Sequence, residues 1–246
     1  MSRLTRNILF NGIGQASLAL LSLVAVRFVF RQLGEDALGL LLFSFILSQV
    51  LSVVFDLGLY TTVVRAISAA RKEDPEYVYE LTRTGTFLCW AGYGILTAVL
   101  YAGAPFLVHH WLRLRGMDPQ EAILFLRILG AGTLLLLPRL FYISLFRGME
   151  RMGVNNAIDV GGSGIQQAGV LAILAGGGGV IPVAWWLTAS GFLLTLALLG
   201  AAHAFFPRRA LWPWFHPRPV RANAGYALMM MGLTVLGMIH MQADKL

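Results

Sequence analysis

The sequence predicts an all-α protein, a polytopic bundle of about six to seven transmembrane helices. Of its 246 residues, 57% are hydrophobic and 13% are charged, whereas soluble domains have roughly 45 to 50% apolar and about 25% charged residues. The mean hydropathy is +0.71, and apolar stretches of about 20 residues recur along the chain. A soluble globule of this length could not bury so much apolar surface, so lipid is the expected solvent.

Seven apolar segments follow one another, and each can cross about 30 Å of hydrocarbon as a helix. The first has a basic start at Arg3 and Arg6. Its apolar run is too long for a signal-peptide core and lacks a clear cleavage site, which predicts a retained anchor. The segments are residues 8–30, 38–60, 84–108, 122–146, 154–174, 181–206 and 224–246.

Lysine and arginine are concentrated in alternate loops, and this bias sets the expected orientation. The side of the membrane that holds the N-terminus would carry Arg3, Arg6, Arg65, Arg71, Lys72, Arg83, Arg147, Arg151, Arg208, Arg209, Arg218 and Arg221. The opposite side would carry Arg31, Arg113 and Arg115. We therefore predict a multi-pass protein of the cell inner membrane with a cytoplasmic N-terminus. The basic residues behind the net charge of +7 lie mostly in these alternate loops, where they set the orientation in the membrane. Nucleic acid is therefore not an expected partner.

The stretch 207–223 combines prolines, tryptophans and four arginines, which is typical of chain at the cytoplasmic headgroup layer. We expect it to link two helical lobes. The predicted domains are a six-helix lobe at 1–206, the interfacial linker at 207–223 and the first helix of a second lobe at 224–246. Because that helix stops at Leu246 without a polar exit loop, the sequence is interpreted as the N-terminal part of a longer protein.

Polar residues form a stripe along three of the predicted helices. Such stripes either line a water-filled cavity or hydrogen-bond between helices. The carboxylates Asp56 and Asp159 favour the cavity, because each would otherwise need a partner in a low dielectric, and Arg139 is the expected partner. The stripes are Asn7, Asn11, Gln15 and Ser22; Gln49, Ser52, Asp56 and Tyr60; and Asn155, Asp159, Ser163 and Gln166.

Four further charged residues lie inside the apolar segments towards their predicted outer ends. Arg27 and Arg127 could snorkel to the interface or face the cavity, and Asp244 and Lys245 reach the same outer layer. Arginine suits phosphate because its planar fork binds oxyanions in pairs, so the cavity suits a large anionic cargo rich in hydroxyls.

Motifs of soluble enzyme chemistry are absent from the sequence. It contains no HExxH and no GxSxG, and the pair His109 and His110 lacks a third metal ligand. We therefore predict no enzymatic activity, no metal and no cofactor. A membrane glycosyltransferase is disfavoured because the longest outer loop, roughly 109–121, is small.

The run VRFVFRQLGEDALGLLLFSFILSQVLSVVFDLGLYTTVVR, residues 26–65, resembles the N-terminal region of O-antigen and polysaccharide flippases. These form part of the multidrug, oligosaccharidyl-lipid and polysaccharide exporter superfamily. The similar features are the turn Leu33-Gly34, the helix start Gly39-Leu40, the DLGL element at 56–59 and the basic Arg65 after it. The tail Gln242-Ala243-Asp244-Lys245-Leu246 is similar to the Q-x-D pattern that begins the second half of such proteins.

The resemblance implies two helical lobes around a central cavity and translocation of undecaprenyl-diphosphate-linked sugars by alternating access. It implies that this chain supplies the first lobe and the start of the second. Expected partners are the lipid bilayer, the lipid-linked oligosaccharide, and a polysaccharide polymerase or glycosyltransferases. The implied cavity residues are Arg27, Asp56, Arg65, Asp159 and Asp244, to which the intramembrane charges add Arg127, Arg139 and Lys245.

Two other functions stay open at the level of sequence. A cation-coupled multidrug exporter of the same superfamily would be expected to have an acidic, aromatic pocket, and the intramembrane basic residues argue against it. A scaffold subunit of polysaccharide assembly without transport activity is the other alternative, and nothing in the sequence excludes it if the chain is complete.

Overall fold

The computed structural model of the protein describes the backbone of residues 3–56, 58–70 and 74–243, with side chains for residues 20–53, 55–56, 58–69, 74–230, 232–233 and 236. Within these ranges every regular element is a helix, so the predicted all-α class is confirmed. A π-helical turn, Leu107–Trp111, extends the third helix. The α-helices are α1 (Arg3–Asp56), α2 (Leu59–Ala70), α3 (Pro75–Phe106), α4 (Pro119–Leu134), α5 (Leu136–Gly148), α6 (Met152–Ala175), α7 (Val180–Ala202), α8 (Arg208–Leu211) and α9 (Pro217–Ala243).

Five helical stretches of the described chain are long and apolar enough to cross a membrane. The chain is thus a multi-pass membrane protein by the length and composition of its helices. The stretches are Leu20–Val53, Pro75–Trp111, Pro119–Gly148, Met152–Ala175 and Val180–Ala202.

Helix α1 is broken at Gly34, where the backbone is not helical (φ 86°, ψ −178°). This φ lies in the left-handed region that glycine adopts without a steric penalty. The break falls between the first two apolar segments of the sequence, at the Leu33-Gly34 turn. Two separate helices were predicted there, and the structure divides α1 accordingly.

The chain forms two compact units. The first unit has an apolar core in which Phe125, Leu126 and Leu129 of α4 are buried together with Leu40 of α1. This burial on α4 follows from its row of large apolar side chains at helical spacing. The unit comprises Met1–Leu47, Thr97–Thr133 and Asn156–Leu194.

Helices α4 and α7 approach closely within the first unit because Gly132 has no side chain. A Cβ atom at this position would collide with Thr188. The Thr188 hydroxyl donates a 2.8 Å hydrogen bond to the carbonyl of Ile128. Small residues and hydroxyl groups supply such contacts in lipid, where the hydrophobic effect does not drive helix association.

A short loop after the π-helical turn folds around the carboxylate of Asp36 in the first unit. Asp36 accepts hydrogen bonds from the backbone N–H groups of Arg115, Gly116 and Met117, at 2.7 to 3.1 Å. Glu35 adds an exposed ion pair of 3.4 Å with the Arg115 guanidinium. The residues that follow the break at Gly34 thereby hold the loop.

The second unit has its core where α2 packs on α5. A Cβ at Gly148 would lie 2.9 Å from Ile67 Cβ, and the Ser68 hydroxyl donates to the Gly148 carbonyl at 3.2 Å. Glycine therefore lets α2 lie directly on the end of α5. The unit comprises Ser48–Leu96, Leu134–Asn155 and Thr195–Leu246.

Helix α9 begins at Pro217, inside the stretch 207–223 that was predicted as a linker. Proline is accepted in the first turn of a helix because its missing N–H would be unsatisfied there anyway. The domain boundaries 1–206, 207–223 and 224–246 stay a prediction.

Candidate functional site at the break between α1 and α2

The second helix break of the described chain lies where α1 ends at Asp56 and α2 begins at Leu59. Gly58 between them has a φ of 76°, which again favours glycine. The backbone N–H of Tyr60 donates to Asp56 Oδ1 at 3.0 Å, so the carboxylate satisfies one of the free donors of the first turn of α2. A carboxylate at this end of a helix also interacts favourably with the helix dipole.

A cavity of about 420 Å³ opens beside this break within the second unit. Its wall is largely apolar, with polar groups from Asp56, Thr62, Thr84 and Asn223. Residues of α1, α2, α3 and α9 contribute to it. Few polar groups in an apolar wall are typical of a site that orients a ligand.

Helix α9 closes one side of the cavity by lying directly against the break. A Cβ at Gly58 would be 2.8 Å from both the carbonyl oxygen of Ala227 and Cβ of Met230. Ala227 itself lines the cavity. The glycine of the DLGL element is therefore required twice, for its backbone conformation and for the close approach of α9.

The segment before α9 is fixed to the start of α3. The Thr84 hydroxyl accepts the backbone N–H of His216 at 3.0 Å and lies 3.3 Å from the carbonyl of the same residue. The N–H of Trp214 donates to the Arg83 carbonyl at 3.3 Å. Because Thr84 also lines the cavity, the contacts that hold this segment lie next to the candidate site.

Arg218 adds an electrostatic contact between the start of α9 and the start of α3. Its guanidinium lies 3.1 Å from Asp74 and 3.6 Å from Glu80, and 5.5 Å from the centre of the Tyr77 ring. The Asn223 amide hydrogen-bonds to the Tyr77 hydroxyl. The entry of α9 into the second unit is thus held by charge, hydrogen bonds and ring contacts together.

The predicted site residues of the second unit are not all at the cavity. Asp56 lines it. Arg65, on α2, is exposed, and its guanidinium lies 4.5 Å from the centre of the Tyr226 ring of α9. Arg139 is half-buried on α5, and its pairing with the carboxylates stays a prediction.

The predicted site residues of the first unit are spread over three helices. Arg27 is exposed on α1, and Asp159 is half-buried on α6. Arg127 of α4 donates through Nε to the Tyr101 carbonyl at 3.1 Å, with its guanidinium 4.1 Å from the centre of the Tyr101 ring. Asp244 and Lys245 lie outside the described residues.

Some members of the polar stripes form hydrogen bonds between helices. Gln166 donates to Ser190 at 2.9 Å, and the Tyr60 hydroxyl donates to the Leu137 carbonyl at 3.1 Å. By contrast, the buried Ser52 hydroxyl and the buried Asn155 Oδ1 have no hydrogen-bond partner within the described part of the chain. The side chains of Asn7, Asn11 and Gln15 lie outside the described residues.

Sequence reasoning missed the residues that fix α9, chiefly Asp74, Thr84 and Arg218. Their positions in the sequence are far apart, and nothing in the local pattern pairs them. The concentration of Pro, Trp and Arg in 207–223 was the available signal, and it indicated an interfacial segment without indicating what that segment contacts.

A comparison with protein-family models decides the family. The model described as polysaccharide biosynthesis protein matches residues 4–246. The chain belongs to this family. No curated protein and no solved structure matches the chain. The resemblance to polysaccharide exporters and flippases is confirmed at the level of the family, and with it a role in polysaccharide biosynthesis or export.

Proposed function

We propose that the protein is part of a flippase that moves undecaprenyl-diphosphate-linked oligosaccharide across the cell inner membrane by alternating access. It would serve the biosynthesis of surface polysaccharides such as the O-antigen of lipopolysaccharide. Residues 1–206 form the first lobe, 207–223 the cytoplasmic linker and 224–246 the first helix of the second lobe. The N-terminus is cytoplasmic. A polysaccharide polymerase or glycosyltransferases act together with the protein.

The observation that carries the proposal is the cavity at the helix break, with Asp56 in its wall and α9 lying against Gly58. Broken helices with polar groups at their ends are a recurring feature of transporter binding sites. Moving elements in transporters switch between discrete packed arrangements, and the proposal assigns a closed and an open arrangement to the contact between α9 and the break. In this proposal α9 moves away from Gly58 when the cytoplasmic side opens.

In this proposal the basic and the acidic residues have different roles. Arginines bind the diphosphate through their planar guanidinium groups, and Arg27, Arg65, Arg127 and Arg139 are the candidates together with Lys245. Asp56, Asp159 and Asp244 tune or couple the cycle. The isoprenoid tail stays in the bilayer, so only the diphosphate and the sugars need a polar path.

The test is translocation by the purified full-length gene product in liposomes that contain a fluorescent lipid-linked oligosaccharide. A membrane-impermeant glycosidase added outside reports the sugar that reaches the outer leaflet. In vesicles with the wild type, the lipid-linked oligosaccharide of the inner leaflet should become accessible to the glycosidase with time. Asp56→Asn should lower the rate of this translocation by about tenfold or more, which corresponds to an increase of at least about 1.4 kcal/mol in its activation free energy. A fluorescent phosphatidylcholine in the same vesicles controls for leakage and for unspecific lipid scrambling.

The two alternatives predict different results in the same vesicles. A cation-coupled multidrug exporter would move a lipophilic cationic dye and leave the oligosaccharide in place. A scaffold subunit would move neither. Either result, obtained with correctly folded protein, would overturn the proposal.

A further inference from the structure

A second cavity of about 450 Å³ lies in the second unit, beside the segment that joins α7 to α9. Its wall combines the aromatic rings of Trp90, Tyr142 and Trp212 with the basic side chains of His203 and Arg208. Its lining, all of it within the described chain, contains no carboxylate. The site is therefore electropositive and aromatic, in contrast to the cavity at Asp56.

The local sequence explains why the basic groups face outwards. Helix α7 ends at Ala202, and Pro207 precedes the single turn α8. Ala210 and Leu211 of that turn are buried and anchor it, which leaves Arg208 exposed. Trp212 follows directly in an extended conformation and is 68% exposed.

The floor of the cavity is closely packed. Tyr142 is fully buried, and its hydroxyl accepts a 2.9 Å hydrogen bond from the Trp90 indole. Tyr142 also packs edge-on against Phe141, which fills the space beside Gly85. An aromatic floor with exposed basic groups at the rim is a preformed arrangement for a small charged headgroup.

The surroundings point to the membrane interface. Trp214 and Phe215 continue the exposed aromatic surface beyond Trp212, and tryptophan is enriched at the level of the lipid headgroups. The charge bias of the sequence predicts that this surface faces the cytoplasmic leaflet, where anionic lipids attract basic side chains with about 1 kcal/mol for each charge.

We propose that this cavity binds the phosphate headgroup of an anionic phospholipid of the surrounding membrane. Arg208 and the ring N–H of His203 hold the phosphate at the rim, and the Trp212 ring covers the glycerol part. The acyl chains remain in the bilayer. This site is separate from the candidate transport cavity and does not depend on the proposed flippase activity.

Native mass spectrometry of the detergent-purified full-length protein tests the assignment. Titration with phosphatidylglycerol should yield a bound lipid at about fivefold lower concentration than titration with phosphatidylcholine, since one net charge near the surface contributes about this factor. Arg208→Gln combined with His203→Gln should remove that preference. Arg209→Gln is the matched control, because Arg209 is an equally exposed neighbour that lies over the Tyr79 ring and does not line the cavity.

Three results would overturn the proposal. Equal losses of the preference in the double variant and in Arg209→Gln would show general surface attraction instead of a site. Equal affinity for the two lipids would remove the charge argument. Binding of glycerol 3-phosphate as tight as that of phosphatidylglycerol would assign the site to a soluble phosphate ester. Unchanged melting temperatures verify that these surface variants fold.

Discussion

Gly58 lies directly against Ala227, so that a Cβ atom at position 58 would be 2.8 Å from the Ala227 carbonyl oxygen. The contact joins the break between α1 and α2 to the helix that is predicted to begin the second lobe. It also lies beside the cavity that contains Asp56. Any movement of α9 therefore changes the wall of that cavity.

Gly58→Ala should destabilise the closed contact between α2 and α9. The variant combines a positive φ with a steric collision, and such strain costs about 1 to 3 kcal/mol. We expect a lower melting temperature of the purified protein. Gly94→Ala is the control, because no atom outside its own helical surroundings lies within 4 Å of a Cβ there. Equal melting temperatures of the two variants would contradict the packed contact.

Two variants of Asp56 separate its structural from its electrostatic contribution. Asp56→Asn keeps an oxygen that accepts the Tyr60 N–H, whereas Asp56→Ala removes it and should cost about 1 kcal/mol through the lost helix cap. Asn should thus melt close to the wild type and Ala below it. Both should lose transport if the charge is used. Full transport by Asp56→Asn would show that the charge of Asp56 is not needed and that this residue only caps the helix.

Arg218→Gln should loosen the start of α9. The pair with Asp74 is exposed on both sides, with 59% and 44% of the side chains accessible, so we expect an effect on stability of only about 0.2 to 1 kcal/mol. The more sensitive readout is the rate of trypsin cleavage after Arg221, which should rise several-fold. Arg209→Gln provides the control. An unchanged cleavage rate would show that the Thr84 contacts alone hold the segment.

Asp36→Ala should release the loop that holds Arg115, Gly116 and Met117. Hydrogen bonds to a charged acceptor contribute about 1.5 to 3 kcal/mol, so amide hydrogen exchange at Gly116 and Met117 should accelerate at least tenfold. Glu35→Gln breaks an ion pair whose side chains are 66% and 83% exposed and should change exchange little. Similar exchange in both variants would contradict this role of Asp36.

The sequence was sufficient for the long apolar helical stretches and for the turn at Gly34, because both depend on local properties. It did not predict that a helix ends at Asp56, inside the predicted segment 38–60. Lipid selects long apolar runs, and only glycine adopts the backbone conformation at Gly34 easily. The partner of Asp36 could not be predicted in this way. Its acceptors are satisfied by backbone groups about 80 residues further along the chain, and any residue type carries such groups.

The candidate site was predicted in part. Asp56 stood out because a carboxylate in an apolar segment is costly. The contact of Gly58 with Ala227, however, depends on how α9 packs, and Ala227 is an ordinary residue of an apolar helix. For Arg127, sequence reasoning left snorkelling and a cavity position open, and the structure adds a contact with Tyr101 that no spacing rule indicates.

In the proposed mechanism the cavity at Asp56 opens and closes during transport. Thr62 reports on this movement because it is buried in the cavity wall. The measurement is the labelling of Thr62→Cys by a charged, membrane-impermeant thiol reagent in vesicles of both orientations. The wild type gives the background labelling, because its single cysteine, Cys89, is buried. The exposed Arg209→Cys controls for access of the reagent. We predict labelling from the cytoplasmic side that falls at least fivefold when lipid-linked oligosaccharide is added. Labelling that is unchanged by this substrate, in a variant that still transports it, would contradict the proposed opening and closing of the cavity.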